Sequence, residues 1–132
     1  MVVVDSNVWI DYLRRTDSDA GQRLDRLLER GEVLLTGVVL AEILQGASGE
    51  GDHEQLEAAL EAATYVEVSR EAWIRAGRLS RELRRSGQIL PLTDLVVAAV
   101  ALEGDHQLFT FDPDFDRLPG LRLYDWKGNT DV

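Results

Sequence analysis

Five short runs of β-favouring residues stand between longer segments of helical period, and this alternation limits the chain to few architectures. The first run, Val2–Val4, contains no polar residue, as in a strand covered on both faces. Val33–Thr36, Tyr65–Val68, Leu108–Phe111 and Leu121–Tyr124 follow it. The spacing predicts helices over Asn7–Arg14, Ala20–Arg30, Val38–Gln45, Glu54–Ala63, Arg70–Ser86 and Thr93–Glu103. Leu24, Leu27 and Leu28 share one helix face, and Gly31 stops that helix. In Arg70–Ser86, Trp73, Ala76, Leu79, Ser80 and Leu83 are expected inward and the arginines outward. Pro91 breaks the chain before the last helix, and Gly46–His53 reads as a loop. Strands that alternate with helices build a sheet with helices on both faces. The expected class is therefore α/β: one three-layer α/β/α domain over residues 1–132 around a central, mostly parallel, five-stranded sheet.

Such a chain is long enough to bury a real core. It has no cysteine, so disulfides, zinc–thiolate sites and thiol catalysis are excluded. No apolar run is long enough to span a bilayer. Asp5 and Asp11 interrupt the only apolar start, which argues against a secretory leader. A cytoplasmic protein without membrane attachment is the expectation. Acidic residues outnumber Lys plus Arg by 24 to 14, for a net charge of −10. That balance opposes non-specific binding to nucleic acid. Lys127 is the only lysine. The choice of arginine elsewhere favours bidentate pairing with carboxylate or phosphate.

Most acids lie on solvated helix faces, as in EGDHEQLEAALEAA. Four stand against apolar runs instead. Asp5 follows the first strand, where it is equally suited to cap a helix. Glu42, in TGVVLAEILQG, has Val38, Val39, Ile43 and Gly46 at helical spacing, yet lies beside Gln45 and a route to water. Asp94 opens TDLVVAAVALE, where Thr93 and Asp94 are both good capping residues. Asp112 follows the fourth strand in LFTFDPDFDRL, with Asp114 and Asp116 behind it. That run is not a calcium loop, because Arg117 and Leu123 stand where glycine and the bidentate glutamate belong.

Each signal is weak alone, but together they converge. Asp5 and Asp112 both belong at the carboxyl edge of one sheet, within reach of Glu42 and Asp94. Carboxylates crowded into one cleft repel one another unless a hard divalent cation holds them. Oxygen ligands suit Mg²⁺ or Mn²⁺, and His53 and His106 read as bystanders. An acidic Mg²⁺ site is one design for phosphodiester cleavage.

With these residues in place the chain resembles the PIN-domain ribonucleases, and within them the VapC toxins of toxin–antitoxin pairs. The matching stretches are VVVDSNVWI, TGVVLAEILQG, LPLTDLVVAAVALE and LFTFDPDFDRLPGL, which together span nearly the whole chain. The resemblance implies a PIN-like α/β/α fold and Mg²⁺- or Mn²⁺-dependent endoribonuclease activity. By its analogy Asp5, Glu42, Asp94 and Asp112 form an acidic quartet, with Asp5, Asp94 and Asp112 holding metal. Ser6, Asn7 and Thr110 would orient a carboxylate or water, and Asp114 and Asp116 are extra acids. It further implies cleavage by activated water to 5′-phosphate and 3′-hydroxyl ends, a cognate VapB-like antitoxin, and a homodimer.

RNA needs a basic track across an acidic site. Candidates are Arg14 and Arg15 near the first helix, and the ridge Arg75, Arg78, Arg81, Arg84 and Arg85, which better suits a solvated helix face with ion pairs. Trp9, Tyr12, Leu27 and Leu28 are expected to form either an antitoxin groove or core. A receiver-like Mg²⁺-binding signalling domain is the rival reading. It lacks support here, because the third strand ends in Val68-Ser69 and no lysine follows a late strand except Lys127. A phosphatase with D-x-D after its first strand does not match Asp5-Ser6-Asn7. A catalytically silent PIN-like scaffold is the remaining alternative, against which the intact acidic set argues.

Overall fold

The computed structural model describes residues 1–15, 17–47 and 53–127. Its elements run β1 (Val2–Val4), α1 (Ser6–Arg14), α2 (Asp19–Glu29), β2 (Val33–Leu35), α3 (Gly37–Gly46) and α4 (His53–Ala62). Then come β3 (Thr64–Tyr65), α5 (Arg70–Arg85), α6 (Leu92–Glu103), β4 (Gln107–Phe109) and β5 (Arg122–Leu123), with a 3-10 turn over Pro113–Arg117. All strand pairings are parallel, in the order β3-β2-β1-β4-β5. Val3 stands beside Leu34 on one side and Leu108 on the other. Every residue of β1 and β2 is buried, as a sheet covered on both faces requires.

The two crossovers that carry α1–α4 step one way across the sheet. The crossover carrying α5 and α6 steps back past β1 to β4. Right-handed connections therefore place the two helix groups on opposite faces. On the first face α1 touches α2 and α3, and α2 touches α4. On the second, α6 lies against β1, β4 and α5. Leu95–Ala101 of α6 are buried without interruption, because this helix is enclosed between sheet and α5. Gly46 lets α1 and α3 approach closely: a Cβ there would stand 2.9 Å from Ile10 Cδ1. No helix among the described residues is long and apolar enough to cross a membrane.

Several expectations need correction. Trp73 is 52% exposed, and the stripe that α5 buries is Ala72 and Ala76, flanked by half-buried Leu79 and Leu83. Small residues bring α5 close to α6, and Trp73 falls one position outside that contact. Strand β3 covers Thr64–Tyr65 rather than Tyr65–Val68, since the chain leaves the sheet edge after Val66 N–H donates to Leu35 O at 2.9 Å. Strand β4 ends at Phe109, and β5 is limited to Arg122–Leu123. Helix α6 begins at Leu92, with Pro91 as its N-cap and no side-chain capping bond, so Thr93 and Asp94 do not cap it. Of the loop expected over Gly46–His53, Gly46 closes α3, His53 opens α4, and residues 48–52 lie outside the described residues. Trp9, Tyr12, Leu27 and Leu28 are all buried and belong to the core, and Tyr12 alone among them also borders a surface cleft, beside Asp17, Asp25 and Gln55.

Candidate active site

The strand order reverses between β1 and β4: from β1 the sheet grows one way to β2 and β3, the other way to β4 and β5. Helices diverge at such a switch point, and a crevice opens beyond the carboxyl ends of the two strands. Asp5 leaves β1 and Thr110–Asp112 leaves β4 on either side of it. A receiver-type sheet runs 2-1-3-4-5, so the order found here removes that rival.

Asp5 is only 5% exposed. It caps α1, with its Oδ1 accepting the Ser6 N–H at 2.8 Å. Its Oδ2 accepts the Thr110 hydroxyl, also at 2.8 Å. Capping and site placement are thus one and the same geometry. Thr110 joins the two loops: its oxygen also receives the Asp112 N–H at 3.1 Å and the Asn7 Nδ2 at 3.4 Å. The Phe111 N–H reaches back to Asn7 Oδ1 at 3.4 Å. Asp112 caps the 3-10 turn by accepting the Asp114 N–H at 2.9 Å.

Burial raises the Asp5 carboxyl above the usual carboxylate range. The Thr110 and Ser6 bonds offset part of that, and the Asp112 charge adds to it. Glu42 is raised by burial and then by Asp5, against a hydrogen bond with Ser6. Glu42 therefore faces the cleft rather than the solvent beside Gln45. Asp94, in the first turn of α6, is pushed up to about 6 by burial, then by Asp5, Asp112, Glu42 and Asp114. A helix N-terminus ordinarily favours a carboxylate, so burial, with the crowding added to it, outweighs the dipole. Helices α3 and α6, which carry Glu42 and Asp94, touch one another.

The sequence-predicted acids Asp5, Glu42, Asp94 and Asp112 thus meet in one crevice. Asp114 stands at its margin, in an ion pair of 3.3 Å with Arg117. Asp116 is exposed and does not contribute to the Asp94 shift. Arg14 and Arg85 are exposed at the ends of α1 and α5, and Arg15 is tied to Asp11 at 3.0 Å. Arg78 lines a surface cleft with Glu71, Glu82 and Glu103. Arg75 pairs with Glu103 at 2.9 Å. No arginine is among the groups that shift Asp5, Glu42 or Asp94. Reasoning from the sequence missed a cleft of about 380 Å³ adjoining Asp112, walled by Phe111, Tyr124 and Trp126.

The donor set fits a hard cation. The Asp94 carboxylate has no hydrogen-bond or cationic partner among the described residues, and every charged group that shifts it is another carboxylate. As placed, no three acid or imidazole side chains among the described residues stand close enough together to hold an ion, so the fit lies in the chemistry of the donors.

Chains of similar sequence and similar fold occur among known proteins. Ribonuclease VapC11 of Mycobacterium tuberculosis is 29% identical over 120 residues, covering 88% of this chain and 90% of that protein. Ribonuclease VapC2 of Rickettsia felis is 26% identical over 129 residues, covering 94% and 96%. The structure of VapBC2 from Rickettsia felis, bound to a DNA fragment from its promoter, superposes with a TM-score of 0.81 at 23% identity over 94% of this chain and 98% of that one. VapBC-5 of Mycobacterium tuberculosis, a toxin–antitoxin system, gives 0.62 at 28% identity over 92% and 97%. The PIN domain model matches residues 2–121, from the first valine of β1 to the residue before β5, and the chain accordingly belongs to the PIN-domain family.

Proposed function

We propose that this protein is a metal-dependent endoribonuclease, the toxin of a toxin–antitoxin pair. The observation that carries this reading is the convergence of Asp5, Glu42, Asp94 and Asp112 at the switch point, with Asp94 lacking any cationic partner among the described residues. The VapC ribonuclease relatives support the same reaction class.

Asp5, Asp94 and Asp112 would hold Mg²⁺ or Mn²⁺. The ion, when bound, supplies Lewis-acid stabilisation of charge developing on the phosphate and acidifies water. Thr110 fixes the Asp5 and Asp112 loops relative to each other, so that two of the three carboxylates are set before substrate arrives. Glu42, held beside Ser6, is placed to orient the attacking water and accept its proton at the carboxylate. In-line attack on phosphorus breaks the bond to O3′, leaving a 5′-phosphate and a 3′-hydroxyl. No nucleophilic side chain takes part. Solved structures of the same fold are toxin–antitoxin complexes. A net charge of −10 suits a basic segment of an antitoxin, and a cytoplasmic homodimer completes the proposal.

The test is incubation with total RNA in Mg²⁺ or Mn²⁺, beside an EDTA control and Asp94→Asn. Discrete fragments with 5′-phosphates that require both metal and Asp94 are expected. Equal cleavage by wild type and variant would refute the reading.

A further inference from the structure

The cleft beside the acids has an unusual wall. Phe111, two residues beyond the end of β4, is 38% exposed. Its ring meets that of Trp126 at 64°, centroids 5.2 Å apart. Trp126 in turn stacks over the fully buried Phe109 at 6.4 Å and 23°, and Phe109 packs on Tyr124 at 4.9 Å. The exposed Phe111 ring and the half-buried Trp126 ring are therefore anchored on the core rather than free to collapse. The cleft, about 380 Å³, includes Thr110 and Asp112, so it is continuous with the candidate active site. Its size falls within the range of small-ligand sites, about 300–1,000 Å³. Asp112, Asp116 and Asp125 also line it, and their charge repels a phosphate from its interior. Flat apolar walls with acidic edges suit an uncharged planar ring. The Lys127 ammonium, the only one on a lysine in this chain, stands 5.1 Å from the Trp126 ring centre, where a neighbouring phosphate can meet it.

We propose that this cleft takes one unpaired nucleobase of the RNA, stacked on Phe111 and Trp126. The inference deepens the ribonuclease reading and rests on it. A base can enter only after leaving its own stack, which a duplex resists.

The test measures binding of a short oligouridine, and of a duplex RNA of equal length, by fluorescence anisotropy at low salt, with Ca²⁺ in place of Mg²⁺ so that a hard cation sits among the acids. Wild type is compared with Phe111→Ala, Trp126→Ala and Trp126→Phe. Single-strand binding is expected to weaken about 5- to 150-fold in each alanine variant, the worth of one stacked base, and to survive in Trp126→Phe. Phe111 is exposed, so its variant tests the cleft even if loss of Trp126 disturbs the Phe109 packing. Unchanged oligouridine binding in Phe111→Ala, as expected if the cleft takes a partner protein's side chain instead, would overturn the proposal. So would equal binding of the duplex. Cleavage assays in Mg²⁺ on the same proteins separate the two readings. Ring-dependent binding without any wild-type cleavage keeps the base site and refutes the nuclease, whereas cleavage insensitive to both alanine variants refutes the base site.

Discussion

Replacing Asp94 with asparagine should stabilise the metal-free protein while abolishing its activity. The Asp94 carboxyl is raised from 3.8 to about 6, mostly by burial and then by four neighbouring acids. Its folded value lies above its unfolded one, so the native state binds the proton more tightly. The penalty is absent below the unfolded value, grows as pH rises between 3.8 and about 6, and is full above that. The shift corresponds to about 3 kcal/mol before screening, and partial exposure of the group reduces it to roughly 1–2 kcal/mol. Loss of a favourable charge at a helix N-terminus returns about 0.5 kcal/mol. A net gain near 1 kcal/mol raises Tm by about 3–5 °C in a chain of this size. Thermal denaturation in EDTA at about pH 8 should reveal that gain in Asp94→Asn, and the gain should disappear near pH 4. Mg²⁺ should raise the wild-type Tm at the higher pH and leave the variant nearly unmoved. A variant that is destabilised at the higher pH, or stabilised equally at both, would refute the idea that crowded negative charge burdens this site.

Thr110→Val should cost about 1.5–3 kcal/mol in urea unfolding, because it removes the 2.8 Å bond to the Asp5 carboxylate and leaves the Asp112 N–H without its acceptor. Cleavage should fall in parallel, and a variant of wild-type stability and rate would show that the hydroxyl positions nothing. Arg75→Ala should cost under about 1 kcal/mol, since its 2.9 Å pair with Glu103 joins two partly exposed side chains, and a double-mutant cycle with Glu103→Gln at low and high salt measures it. RNA affinity in Mg²⁺ should depend weakly on monovalent salt, with a log–log slope shallower than about 3 in magnitude, because no arginine shifts Asp5, Glu42 or Asp94. A steep slope would instead assign a phosphate track to Arg78 and Arg85 on α5.

The alternation of strand and helix was legible because a parallel sheet covered on both faces demands short apolar runs such as VVV and VLL, set off by polar residues from the longer helical segments. Element ends were less so. Strands β3 and β5 are two-residue edges, where pairing on one side only leaves little sequence signal for their limits. Trp73 was placed inward on periodicity, but α5 packs through alanines and leaves the larger ring outside. The four acids could be singled out because each adjoined a run that had no need of charge. The aromatic cleft could not, because it depends on register. Leu108 pairs with Leu123, so Phe111 and Trp126, each three residues further on, come side by side only once β4 and β5 are aligned.

The acids of the crevice are not equivalent, and the difference follows from which of them the fold supplies with donors. Asp5 receives a backbone N–H and a hydroxyl, and Asp112 receives a backbone N–H. Both are held in place by bonds that exist whatever the site contains, and both sit on loops at strand ends that the sheet fixes. Glu42 has only the Ser6 hydroxyl against the Asp5 charge. Asp94 has neither donor nor cation among the described residues and the largest number of acidic neighbours. A half-buried carboxylate crowded by other acids and without a partner favours uptake of a proton or a cation. The rigid pair therefore sets the geometry, and Asp94 sets the demand for positive charge. That division would let an acidic chain carry the proposed phosphate-cleaving site: the charge needed to admit RNA would enter with the ion, at the carboxylate the fold leaves unsatisfied.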